Sequence, residues 1–145
     1  MRHHGVAATH LHSRGVWGRL LSPVCVAAAA ASGVALVAAV DPNQPGHYPV
    51  CPFLSLTGLF CPGCGTLRAL HALTRGDVVT GFDRNPMTML TLPLLLAVWG
   101  AWVVREVRGR GRTTMAPAWL LWLLAAAQLL FWVLRNLPGF AWLAP

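Results

Sequence analysis

Three cysteines stand close together in the chain: Cys51-Pro52, then the run Cys61-Pro62-Gly63-Cys64-Gly65. Thiols at this spacing can do three things. The turn CPxCG is the one zinc ribbons use, with two thiolates presented two residues apart and a glycine that lets backbone amides approach sulfur. Cys51 can supply a third ligand, and a four-coordinate zinc ion then asks for a fourth, from His47, His71 or a group elsewhere. A helix running from Cys64 through His71 would separate them by about 10 Å along its axis. Ligands on one ion sit only about 3 to 4 Å apart, given bonds of about 2.0 to 2.3 Å. The candidate metal set is therefore Cys51, Cys61 and Cys64, with His47 the better histidine candidate for the fourth position.

The second reading is redox. Cys61 and Cys64 form a CxxC pair at a helix start, where the helix dipole and Arg68, one turn beyond Cys64, favour thiolate. Cys51 would then be a resolving thiol. Against a thioredoxin-like site, the glycines loosen the turn and no βαβ pattern surrounds it. The third reading is structural: a disulfide between Cys51 and one knuckle cysteine, or reduced thiols that only pack. The residues alone leave all three open. No Ser, His and Asp arrangement, phosphate loop or paired carboxylate appears, so hydrolase and kinase chemistry find no support.

The elements that position these thiols are read from composition. Of 145 residues, 56% are hydrophobic and 10% charged, which is too apolar for an ordinary soluble domain. The sequence predicts an all-α integral membrane protein with three transmembrane helices, at about 20–40, 87–104 and 117–134. Residues 1–19 form a basic, histidine-containing tail, and 20–145 a single membrane domain whose cysteine loop covers 41–86. The first span is rich in alanine, and the small pair Ala29 and Gly33 is expected to allow close helix approach. Asn85-Pro86 is a clean start for the second, with Asn as cap and Pro at the first helical position. Pro93 lies inside that span. Gln128, the polar residue within the third, is expected to face the other helices.

Within the loop, Thr66 to Leu73 reads as a short helix stopped by Gly76, and Thr57-Gly58 as a turn that brings Cys51 back toward the knuckle. Arg68 is a further site candidate, as a partner of a thiolate, of Asp77 or Asp83, or of a lipid phosphate. Cys25 reads as a buried small apolar residue, and His3, His4, His10 and His12 as part of a disordered tail.

Charge predicts orientation, since cytoplasmic flanks carry excess Arg and Lys. Arg2, Arg14 and Arg19 precede the first span, and Arg105, Arg108, Arg110 and Arg112 lie between the second and third. The N-terminus is thus expected in the cytoplasm of a multi-pass plasma-membrane protein, with the cysteine loop outward. A cleaved secretory signal is the rival for the first span, disfavoured because its apolar stretch exceeds the usual 7 to 15 residues. The net charge of +7 is distributed along membrane flanks. It reads as topology and headgroup contact, with the bilayer and a membrane protein as expected partners and no nucleic acid.

The order Cys51-Pro52, Thr57-Gly58, Cys61-Pro62-Gly63-Cys64-Gly65-Thr66, Arg68-Ala69, Leu73, Gly76-Asp77 and Asn85-Pro86 resembles a family of small bacterial membrane proteins known only as a domain of unknown function. The resemblance spans about Cys51 to Leu96. It implies a membrane protein with a cysteine-bearing lid and carries no established activity. The leading expectation is a non-enzymatic membrane component whose loop is bound to metal, with zinc the candidate, or stapled by a disulfide. The alternative is a small membrane thiol-disulfide oxidoreductase using Cys61 and Cys64.

Overall fold

The computed structural model describes residues 16–110 and 118–145. The histidines of the N-terminal tail, with Arg2 and Arg14, and Arg112 lie outside these residues. All regular structure in the described residues is helical, with no strand. The helices are α1 (Val16–Ala39), α2 (Pro52–Thr57), α3 (Thr66–Thr74), α4 (Val78–Arg84), α5 (Pro86–Val107) and α6 (Ala118–Leu134), followed by a 3-10 turn at Pro138–Leu143.

α1 and α5 are long and apolar enough to cross a membrane. At about 1.5 Å per residue their 24 and 22 residues measure roughly 36 and 33 Å, against about 30 Å of hydrocarbon. Only 11% and 6% of their apolar windows are buried, so neither is the core helix of a soluble domain. Leu21, Val24, Leu36, Leu90, Leu95 and Val98 all stand exposed. α6, with 17 residues, is shorter, at about 26 Å.

α1 packs on α5, and a hydrogen bond from Trp99 Nε1 to the Pro23 carbonyl, 3.1 Å, joins them. The small-residue face of α1 is not the one that packs: Ala29 is exposed and nothing lies within 4 Å of a side chain built on Gly33. Contact falls instead on the face carrying Pro23 and Val37, which are buried. Cys25 corrects the sequence reading in the same way. It lies exposed on α1, because no helix among the described residues covers that side.

The buried core is small and gathered around the cysteine segment. Cys64, Ala69, His71, Ala72, Asn85, Met89, Phe131, Arg135 and Leu143 are buried. α3 and α4 form a hairpin that rests on the C-terminal half of α1 and the start of α5. The hairpin is fixed to α1 by His71, whose Nδ1 is 2.7 Å from the Val37 carbonyl and whose Nε2 is 3.5 Å from Asp41 Oδ1. Gln128 lines a cavity of about 350 Å³ beside Thr88 and Thr91 of α5.

Candidate metal centre

Each cysteine reaches the site by a separate local device. Cys51 stands at the N-cap of α2, which begins with Pro52 and ends at Gly58. Gly58 adopts φ +72°, a left-handed value that suits glycine at a helix end, and its amide bonds the Leu54 carbonyl. This one-and-a-half-turn helix reverses the chain and returns it to Cys61. Cys61 to Cys64 is a tight turn closed by the Cys64 amide on the Cys61 carbonyl, 3.1 Å. Gly65, at φ +86°, then turns the chain into α3. A side chain on Gly65 would also run into the Arg84 carbonyl and Pro145.

The three sulfurs converge. Cys51 Sγ is 3.5 Å from Cys61 Sγ, Cys61 Sγ is 3.0 Å from Cys64 Sγ, and all three lie within 4.8 Å of one another. None is at the bonding distance of a disulfide, about 2.05 Å, and all are free. A tetrahedral ion with metal–sulfur bonds of about 2.3 Å holds its sulfurs about 3.8 Å apart. The Cys51–Cys61 separation falls about 0.3 Å short of that value, and Cys61 and Cys64 would part by about 0.8 Å to meet it. The Cys61 amide donates to Cys64 Sγ, 3.3 Å.

The electrostatics of the thiols differ. The Leu54 amide, on the first turn of α2, and the Cys61 thiol beside it lower the Cys51 pKa. Cys64 is buried, and burial, reinforced by its hydrogen bond with Cys61, pushes its thiol up to about 12. The oxidoreductase alternative gains no support.

Two of the residues that hold the cysteine segment, Arg135 and Asn136, lie outside the sequence motif. Arg135, just past α6, is 2% exposed. Its Nη1 donates to the carbonyls of Cys61 (2.9 Å), Pro62 (3.3 Å) and Cys64 (3.2 Å), and its Nη2 to those of Cys64 (3.2 Å) and Leu143 (3.2 Å). The rings of Phe131 and Phe60 lie 4.9 and 5.8 Å from the guanidinium carbon. Burial lowers its pKa while Cys64 and Cys61 oppose the shift, and an arginine stays a cation in such surroundings. No carboxylate pairs with it among the described residues. Its neighbour Asn136 accepts the Phe60 amide at 2.8 Å and donates to the Phe60 carbonyl at 2.9 Å.

Asn85 does more than start α5. Its Oδ1 caps the helix by accepting the Thr88 amide at 3.0 Å. Its Nδ2 donates to the Pro62 and Cys64 carbonyls, both 3.1 Å away. The motif Asn-Pro gave the cap, but its reach to the knuckle required the tertiary fold. For Arg135 and Asn136 the available signal was a polar pair directly after a long apolar helix.

His47 does not belong to the sulfur cluster, and its Nδ1 is 3.4 Å from the Asp41 carbonyl. Arg68 is half-buried on the wall of a cavity of about 500 Å³ that the three cysteines also line. It forms no ion pair among the described residues; Asp77 instead caps α4 through Thr80.

Residues 51–99 match the family described as Protein of unknown function (DUF2752). This DUF2752 segment is about a third of the chain, and it holds all three clustered cysteines, Arg68 and Asn85. Arg135 and Asn136 lie beyond its end. No curated protein and no solved structure matches the chain.

Proposed function

We propose that the chain is a three-span membrane protein whose outward cysteine segment binds one metal ion, zinc by preference, as a rigid element for a membrane partner or the lipid surface. The observation that carries the metal reading is the convergence of three free sulfurs within 4.8 Å from two separate turns. Sulfur-rich, tetrahedral surroundings favour zinc among the common divalent ions. A divalent ion on three thiolates retains one negative charge, and Arg135 is the buried cation that balances it.

Three spans are supported by where the helix ends meet. The C-terminal end of α1 (Val37), the N-terminal end of α5 (Asn85) and the C-terminal end of α6 (Arg135) all touch the cysteine segment or the α3–α4 hairpin. Helices that cross in alternating directions bring those ends to one side. At 17 residues α6 stands at the lower limit for a span. At the opposite end of α1, the Arg19 guanidinium lies against Gly109, in the arginine-rich flank of α5. Excess arginine on that side supports a cytoplasmic N-terminus and an outward cysteine lid.

The test is metal analysis and thiol counting on the full chain in mild detergent. The expected result is about one zinc per chain, with Cys51, Cys61 and Cys64 protected from alkylation until the metal is chelated. A metal-free protein whose cysteines react at once, or which carries a reducible disulfide, would overturn the reading. For topology, impermeant thiol reagents applied to intact cells should label the loop cysteines after chelation, and labelling only after lysis would invert the orientation.

A further inference from the structure

We propose that the centre's fourth coordination position takes a ligand from outside the chain, a low-molecular-weight thiolate admitted through the cleft that Arg68 walls. The proposal rests on the metal reading above. Four observations lead to it.

The described residues supply three donors to the cluster. Among the described residues no other Cys, His, Asp or Glu belongs to the cluster. The two histidines nearest in sequence are engaged elsewhere: His71 is buried against Val37 and Asp41, and His47 faces the Asp41 carbonyl. Three protein ligands with one open position is the pattern of zinc sites that exchange a ligand, whereas purely structural sites are closed by four.

The open side is accessible. Cys51, Cys61 and Cys64 all line the same cavity of about 500 Å³, with Tyr48, Phe60 and Arg68 around them. That volume lies within the range of small-molecule sites, about 300 to 1,000 Å³.

Charge selects an anion. Three thiolates on a divalent ion leave one negative charge, and Arg135 balances it from below. Arg68 is a second cation, on the cleft wall, and no carboxylate pairs with it although all four acidic side chains lie in the described residues. A fourth thiolate would add the one negative charge that Arg68 is placed to meet. Donor softness then selects sulfur over oxygen, since a sulfur-rich set prefers a further soft donor.

Binding is a ligand exchange without oxidation. The incoming thiol binds as thiolate, a coordinated water leaves, and the thiol proton passes to solvent.

Cobalt-loaded full-length protein in detergent, titrated with 2-mercaptoethanol, tests this. The sulfur-to-cobalt charge-transfer absorption should rise by about one third as three thiolates become four, while ethylene glycol leaves it unchanged. Arg68→Met should retain one cobalt per chain and weaken thiol binding about tenfold, with Arg68→Lys in between. Loaded protein whose spectrum ignores the thiol overturns the proposal. A cobalt spectrum altered by His47→Ala also does, because His47 would then be the fourth ligand. Failure to take up cobalt at all instead removes the metal reading, and the proposal with it.

Discussion

Replacing Asn85 by alanine separates a helix cap from a site anchor, and its cost can be worked from contacts. Asn85 is fully buried and makes three well-formed bonds: it accepts from Thr88 and donates to the carbonyls of Pro62 and Cys64. Loss of an N-cap side chain costs about 1 kcal/mol. Each lost buried hydrogen bond costs about 1 kcal/mol more, with the Pro62 and Cys64 carbonyls still partly served by Arg135. The sum is about 3 kcal/mol, equivalent to about a hundredfold if all of it falls on the metal-bound form. Asn85→Asp is the informative companion, since it keeps the capping oxygen but faces two carbonyls with an acceptor. Both variants should therefore lose zinc affinity, measured by competition with a chromophoric chelator, by at least tenfold. Only Asn85→Ala should also loosen the first turn of α5, seen as faster amide exchange at Thr88. Zinc affinity within twofold of the parent for both variants would refute the assignment of Asn85 as an anchor of the knuckle.

Arg135→Met removes the cation while keeping most of its bulk; metal affinity should fall more than tenfold and alkylation of Cys64 should accelerate, read by mass spectrometry. Gly65→Ala places a methyl group against the Arg84 carbonyl at a left-handed φ, so a loss of about 2 kcal/mol or more is expected in thermal unfolding in detergent. Asp77 caps α4, and its hydrogen bonds from Thr80 hold its pKa below the ordinary carboxylate value. The contribution of that cap is present above the unfolded pKa and is lost as pH falls through the folded one; Asp77→Asn should flatten this acid limb of a stability–pH curve. Cys25 is exposed on the apolar surface of α1, so in membranes it should resist even a membrane-permeant maleimide and become labelled only after solubilisation in denaturing detergent.

Features set by neighbouring residues were legible in the sequence. The Asn85-Pro86 start of α5, the short helix α3 after the knuckle and the turn at Gly58 that returns Cys51 to Cys61 are each fixed within a few residues, by caps and glycines. Two apolar helices follow from composition alone. The helices α2 and α4 went unseen because six- and seven-residue helices carry too few periods for a pattern to register. The exposed positions of Cys25, Ala29 and Gly33 depend on which face of α1 its partners cover, and an alanine-rich helix has no polar stripe to reveal that. Arg135 illustrates the remaining limit. Its partners in the cysteine turn are carbonyls more than 70 residues away, and a carbonyl is present at every position, so no residue type marks the contact.

That dependence on carbonyls has a consequence for what the cysteine turn can tolerate. Arg135, Asn85 and Asn136 grip the main chain from Phe60 to Cys64 and direct none of their hydrogen bonds at a sulfur. The turn is thus recognised by its backbone path and not by its side chains. Cargo and cradle are separable: the thiols can be exchanged for other ligating residues, and the metal preference re-tuned, while the same three anchors continue to hold an unchanged loop.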